Sequence, residues 1–372
     1  MAGPVETLAA IRRTDLRALG VTLAIGAAGG TAAHLAHVPL GFLLGSLMVT
    51  GTLAALGVRP LGRAITLPSR LRHFFVPVIG VAIGGAFTAE TLRAVPLWWP
   101  TLLALCLFIP LAHAVGYGIY RAGGLPRAEA FFGAAPGGVI ETLHLGEDAG
   151  ANVALLTALQ FLRLILTILT VPLIFWALTG APVGSAAGMR MAGAGVALGR
   201  ADIGLMLAAV VLGAPLGRAL RLPGAIMTGP ILVSAALHAG GVMRGIPPDA
   251  VISATQVILG TGLGARFVGI ERALLRRGAI LAVANGAAAL ALAFGFAAAL
   301  RLVAPQPVSV IFLAFAPGGL AEMSLIALSL QASVIFVSLH HVARIFLAVV
   351  VVNLGAARFK RAGAGRARPG GG

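Results

Sequence analysis

Apolar runs of roughly 20 residues, the length that crosses a hydrocarbon core as a helix, recur along this chain between short polar breaks. In the first half they cover about Leu16 to Leu35, Leu40 to Leu56, Phe74 to Thr88, Leu97 to Tyr120, Phe131 to Leu145 and Val153 to Leu178. The second half repeats the pattern from Ala201 to Leu354. This predicts an all-α, polytopic membrane protein. No stretch is long and polar enough for a soluble domain. Trp98-Trp99-Pro100 reads as an interfacial anchor at a helix end, where amphipathic rings favour the headgroup layer.

The two halves superpose. Pro136, Glu141, Val153 and Arg163 return 181 positions later as Pro317, Glu322, Val334 and Arg344. Upstream, Pro39 and Gly45 fall on Pro223 and Gly229 at an offset of 184, and Gly80, Gly84 and Phe87 on Gly260, Gly264 and Phe267 at 180. A duplication of one unit is therefore expected, with residues 1–179 as the first membrane repeat, a Gly/Ala-rich linker at 180–200, the second repeat at 201–357 and a basic, disordered tail at 358–372. The GxxxG pairs Gly80/Gly84 and Gly260/Gly264 read as close helix packing.

One segment in each repeat is interrupted: FFGAAPGGVIETL at Phe131 to Leu143 and FLAFAPGGLAEMS at Phe312 to Ser324. Proline removes a backbone donor and two glycines loosen the chain, so a helix should restart at about Gly138 and its counterpart. The amides at such a start need partners, and in a membrane only protein, water or ligand can supply them. Glu141 and Glu322 sit in that first turn, where the positive end of a helix dipole favours an anion. The following helix carries Gln160 and Arg163 in one copy, His341 and Arg344 in the other. Three apart, each pair shares a helical face, and the arginine is expected to pair with the glutamate or to grip an anionic substrate. Charged groups inside membrane segments usually mark a substrate, ion or proton path. The candidate binding residues are thus Pro136, Gly137, Gly138, Glu141, Gln160 and Arg163, with Pro317, Gly318, Gly319, Glu322, His341 and Arg344. A plain turn with a capping glutamate and a snorkelling arginine is the alternative for one copy. Its recurrence at the same spacing favours function.

Charge decides orientation and partner. Between the apolar segments of the first half the arginines fall as none, then Arg59, Arg63, Arg70 and Arg72, then Arg93, then Arg121 and Arg127. In the second half they fall as Arg218 and Arg221, then Arg244, then Arg272, Arg276 and Arg277, then Arg301. The peak moves by one loop. If basic loops stay inside, equivalent loops lie on opposite sides, which predicts an inverted repeat of about ten crossings plus two broken Pro-Gly-Gly half-helix segments. Totals over the chain fit a parallel arrangement equally well. The location expected is the cell's inner (plasma) membrane, with both termini cytoplasmic and the linker opposite. Arg12, Arg13 and Arg17 before an apolar run resemble a signal peptide superficially, but a first membrane helix is the simpler reading.

Hydrophobic residues make up 59% of the 372, charged ones 10%, and the mean hydropathy is +1.00. The net charge of +16 does not imply nucleic acid, because the basic residues lie in short loops and at the two ends. Anionic membrane lipids are the expected partner, beside a small solute or ion. Cys106 is the sole cysteine, which excludes an internal disulfide and a thiolate-rich metal site. His34 with His37, and His340 beside His341, lack nearby third and fourth ligands, so no metal, cofactor or catalytic residue is expected. There is no nucleophile triad, phosphate loop or dinucleotide fingerprint. The oligomeric state is not legible.

The twice-repeated APGG-x-x-E, Ala135 to Glu141 and Ala316 to Glu322, followed by the Gln160/Arg163 and His341/Arg344 pairs, resembles the AbrB-type duplicated integral membrane proteins. The resemblance covers nearly the whole chain. It implies two labels carried by that family, ammonia monooxygenase and regulation of gene expression, and it is distinct from the soluble DNA-binding regulator of the same name. The residues themselves point to a transporter or permease that is not an enzyme.

Overall fold

The computed structural model describes residues 16–87, 89–180, 198–222, 224–270, 272–330 and 332–366. The expected linker falls mainly on 181–197, and Arg12 and Arg13 on the N-terminal segment; both lie outside the described residues. Among the described residues the chain is all helix and turn, with no strand. The first half forms α1 (Leu16–Leu35), α2 (Gly41–Ala55), α3 (Ser69–Gly84), α4 (Trp99–Ala122), α5 (Arg127–Gly133), α6 (Val139–Asp148) and α7 (Val153–Thr179). The second repeats them as α8 (Arg200–Ala219), α9 (Ala225–Ala239), α10 (Asp249–Gly264), α11 (Arg272–Leu300), α12 (Val308–Phe315), α13 (Leu320–Ser329) and α14 (Val334–Arg366). A short helix, Ala89–Ala94, leads into α4.

Among the described residues seven helices are long and apolar enough to cross a membrane: α1, α4, α7, α8, α10, α11 and α14, some with adjoining turns. The helices α2 and α9 are shorter and apolar. The protein is a polytopic membrane protein. At 33 residues, or about 50 Å at 1.5 Å per residue, α14 outreaches the roughly 30 Å core, and its helix runs to Arg366, into the segment expected to be a disordered tail. Residues 367–372 lie outside the described residues.

Two compact units divide the chain, and neither is a repeat. One holds α1–α3 with α8–α10; the other holds α4–α6, most of α7, and α11–α14. Each unit therefore draws matching helices from both halves.

In the first unit, glycine lets helices touch backbone to backbone. A Cβ at Gly80 would lie 2.8 Å from the Met227 carbonyl, and one at Gly84 would collide with Ser234. The counterparts Gly260 and Gly264 meet Ser46 and the Gly51 amide in the same way. The GxxxG pairs thus pack α3 on α9 and α10 on α2, and the Ser234 hydroxyl donates to the Val81 carbonyl at 2.7 Å across the first of these contacts. Matching helices α3 and α10 run antiparallel: Arg72, near the start of α3, lies on Gly262 near the end of α10, while Gly85 beyond α3 meets Ile246 before α10.

In the second unit α4 and α11 are also antiparallel. Asn285 donates to the Tyr120 hydroxyl at 3.0 Å, Arg277 to the Gly123 carbonyl at 3.0 Å, and Phe108 meets Phe296 far along the pair. The same unit corrects the reading of Trp98. It is 1% exposed and packs edge-on against Phe336, leaving Trp99, 64% exposed, as the outward-facing ring.

Candidate functional site

The segment expected as one interrupted run, Phe131 to Leu145, is two half-helices, α5 and α6, folded into a hairpin. Its two ends meet: the Asn152 amide, after α6, donates to the Glu129 carboxylate at the entry of α5. Inside it, a Cβ at Gly146 would lie 3.4 Å from Phe132 Cβ, an approach that two in-line helices 14 residues apart cannot make. The chain enters, breaks and returns. Proline sets each break, because the residue before it is kept out of the helical region; Ala316, before Pro317, has φ −56° and ψ 136°. After the break Gly138 caps α6 in the left-handed region (φ 65°, ψ 47°), which glycine adopts without a Cβ clash. Its counterpart Gly319 is extended (φ −78°, ψ 149°).

A helix that ends in the membrane leaves carbonyls without partners, each costing several kcal/mol if left bare. The long helices α7 and α14 supply them. Gln160 Nε2 donates to the Phe132 carbonyl at 2.9 Å, and His341 Nε2 donates to the Leu313 carbonyl at 3.1 Å, each partner 28 residues back. Arg163 donates to the Ala134 carbonyl at 3.4 Å and to Gln160 Oε1 at 2.7 Å. Arg344 donates to the carbonyls of both Ala316 and Gly318. Both arginines thus hold main-chain carbonyls at the breaks. The guanidinium charge lies at the negative end of the first half-helix, where a cation is favoured. Gln160, Arg163, His341 and Arg344 are all buried.

Both breaks share one neighbourhood. Arg163 and Arg344 each lie ten residues into their helices, about 15 Å along. Gly137 of the first break packs on α14, where its Cβ would meet Ala348 Cβ at 3.3 Å and Ile345 Cα at 3.5 Å. The two arginines are near enough for their charges to act on each other.

The glutamates differ. Glu322 is buried, its carboxylate folded back over Gly319 at the head of α13. Glu141 is exposed, with a carboxylate oxygen 3.6 Å from the Cβ position of Gly138. Pro136 and Pro317 are buried, and Gly137, Gly138, Gly318 and Gly319 half-buried. All twelve sequence-selected residues therefore lie in the second unit, on the two hairpins and the helices bracing them.

Sequence reading passed over His113. It lies on α4, 5% exposed, against the Phe131 ring at 4.5 Å, and Arg163 acts on it electrostatically. Its signal was a histidine in the middle of an apolar run. Ser324 and Ser338, bonded at 2.8 Å between α13 and α14, were likewise unread.

The monooxygenase label would require a metal or a flavin, and the paired histidines His340 and His341 are where a metal would be sought. Nδ1 of His340 bonds the Phe336 carbonyl and Nε2 the Thr101 hydroxyl, while His341 serves Leu313. Among the described residues no three of His, Cys, Asp and Glu gather as a ligand set.

The chain is similar to known proteins over most of its length. The chain is 26% identical over 364 residues to "Uncharacterized protein YhjN" of Bacillus subtilis (strain 168), covering 89% of this chain and 90% of that protein. It is 26% identical over 335 residues to "Putative regulator AbrB" of Escherichia coli (strain K12), covering 87% and 90%. The sequence model of the family described as transition state regulatory protein AbrB matches residues 51–360. That match takes in both hairpins and both bracing helices, and the chain belongs to this AbrB family.

Proposed function

We propose that the protein is a secondary transporter or permease of the inner membrane that moves a small solute, coupled to protons, through a site formed by the two broken hairpins. The observation that carries this reading is the meeting of both breaks on one stretch of α14, with Gly137 on Ile345 and Ala348 while Arg344 braces Ala316 and Gly318. Discontinuous helices of this kind in inverted repeats are where secondary transporters hold substrate and coupling ions. The antiparallel course of α3 against α10 and of α4 against α11 supports an inverted repeat, since matching helices of a parallel repeat would run the same way. It also brings the most basic connections, Arg59 to Arg72 and the one following α10, to one side, which the positive-inside tendency makes cytoplasmic together with both termini.

In this reading the arginines do not grip substrate. They neutralise the carbonyl ends of α5 and α12 and leave the amide ends of α6 and α13, with Glu141 and Glu322, as the working polar groups. Two guanidinium charges and two helix N-termini make the region positive, which favours a small anion, and a glutamate that gains a proton as the anion enters preserves the charge balance. No cofactor takes part. The reading includes no oxygenase step, and His340, one of the histidines that could seed a metal, has both ring nitrogens engaged with the Phe336 carbonyl and the Thr101 hydroxyl.

Transport tests this directly. Ligands found by a thermal-shift screen of small acids, amines and cations are followed into proteoliposomes with and without a pH gradient. The Glu141→Gln, Glu322→Gln double variant should fold and lose gradient-sensitive flux. Full flux in that variant would make the motif a structural turn. Reporter fusions at the linker and the tail should report opposite sides. The name of the Escherichia coli relative raises regulation of gene expression as a second reading. Unchanged transcript profiles in cells carrying the transport-dead variant would detach regulation from transport.

A further inference from the structure

One face of α4 lies along α5, the first half-helix of the first hairpin. A Cβ at Gly133 would lie 3.3 Å from Tyr120 Cε2, and one at Gly116 would lie 3.1 Å from Ala134 Cβ and 2.8 Å from Asn285 Oδ1. One turn nearer the start of α4, on the same face, comes His113, which continues that order to the break that follows Ala134. Its ring stands 4.5 Å from that of Phe131, it is 5% exposed, and the charge of Arg163 acts on it. Both ring nitrogens are buried, and among the described residues no group bonds either one.

The repeat supplies an internal control. At the hairpins' offset of 181, His113 corresponds to Phe294 and Phe131 to Phe312. These two phenyl rings also meet, at 6.4 Å. A hydrocarbon ring therefore serves the contact between long helix and hairpin, and in that copy it is 59% exposed. The first repeat puts a polar ring at the same place and buries it. Buried polar atoms without a bond cost stability, and in native proteins they mark a functional role or a bound partner.

We propose that His113 is a further ligand-binding residue of the first break, donating from one ring nitrogen to a carboxylate oxygen of a small organic acid anion. The place of the site rests on the transport reading; the donor and the ligand class go beyond it. A neutral imidazole has one N–H to give and one bare nitrogen that accepts, and the accepting side is open to water. Arg163 keeps its bonds to Ala134 and Gln160, and its charge attracts an anion and repels a cation without touching it. The Phe131 ring adds an apolar wall, which suits a short hydrocarbon tail. A single negative charge is also less costly to take out of water than the two of a phosphate.

Thermal unfolding of the full chain in neutral detergent, at constant pH and ionic strength, tests this with acetate and propionate as probes and chloride and methylammonium as controls. Either carboxylate at about a hundredfold over its half-saturating concentration should raise Tm by about 5 °C, and the controls should not. His113→Phe keeps the ring contact of the other repeat and removes the unbonded nitrogens. Without a probe this variant should be at least as stable as the wild type, and it should lose the rise. His113→Gln keeps a donor and should retain part of it. A lower Tm in probe-free His113→Phe would show the imidazole bonded within the protein, and an equal rise in that variant would show the anion bound elsewhere. Either result overturns the proposal, as does the lack of a rise with both carboxylates in the wild type. A rise that is lost in His113→Phe, in a protein without gradient-sensitive flux, would sink the transport reading and leave the binding assignment standing.

Discussion

The two hairpins share a motif and differ in their surroundings. In the second, α13 is buried along almost its whole length, Glu322 included, and Arg344 holds two carbonyls at once. In the first, α6 presents Glu141, His144, Glu147 and Asp148 on its exposed side, and Arg163 reaches one carbonyl at 3.4 Å while leaning on Gln160. Equal spacing in sequence has therefore produced a tightly held break and a loosely held one. Under the proposed transport reading the looser hairpin is the one to move.

The largest test of that difference is at the arginines. Arg344→Gln removes two charge-assisted hydrogen bonds, each contributing about 1.5–3 kcal/mol, and leaves buried carbonyls bare; unfolding in detergent should show a loss of about 3 kcal/mol or more. Arg163→Gln removes one long bond and a side-chain partner, and should lose about 1–2 kcal/mol. Equal losses would erase the asymmetry. At the break itself, Gly138→Ala forces a side chain into the left-handed region, at about 1–2 kcal/mol, and drives its Cβ to 2.5 Å from Val349 Cγ2. Gly319→Ala keeps an extended backbone and needs only the Glu322 carboxylate to rotate away, about 0.5–1 kcal/mol. It should nonetheless impair flux, because it displaces that carboxylate. A Gly319→Ala protein with normal flux would separate the glutamate's position from its role. The smallest effect is expected from His341→Gln. Glutamine donates to the Phe132 carbonyl in the other copy and can do so to Leu313, so Tm should shift by no more than about 1 kcal/mol in stability corresponds to. A loss larger than that of Arg163→Gln would mean the imidazole has a duty beyond donating one bond.

Both breaks were legible in the sequence because proline and glycine act locally: Pro136 and Pro317 stop a helix wherever the chain goes next. So were the bracing helices, from the three-residue spacing of Gln160 with Arg163 and His341 with Arg344. The partners of those side chains were not legible. They are main-chain carbonyls, which every residue type carries, so nothing in the letters at Ala134, Ala316 or Gly318 marks them. Trp98 misled for a related reason: indole suits a headgroup layer, but Phe336, a distant residue in the chain, supplies an apolar seat. The entry of the first hairpin at Arg127 rather than Phe131, and the start of α3 at Ser69 rather than Phe74, show polar residues continuing a helix past the apolar run used to locate it.

The make-up of the two compact units bears on how such a chain is made and how it arose. Neither unit can be completed until the second half has left the ribosome, since each needs helices from both sides of the linker. Synthesis therefore holds α1–α7 in the bilayer as inserted but unfinished helices, whose partners arrive late. By the same logic an unduplicated ancestor would have built such units only as a pair of chains, each lending the other the helices that the second half now provides.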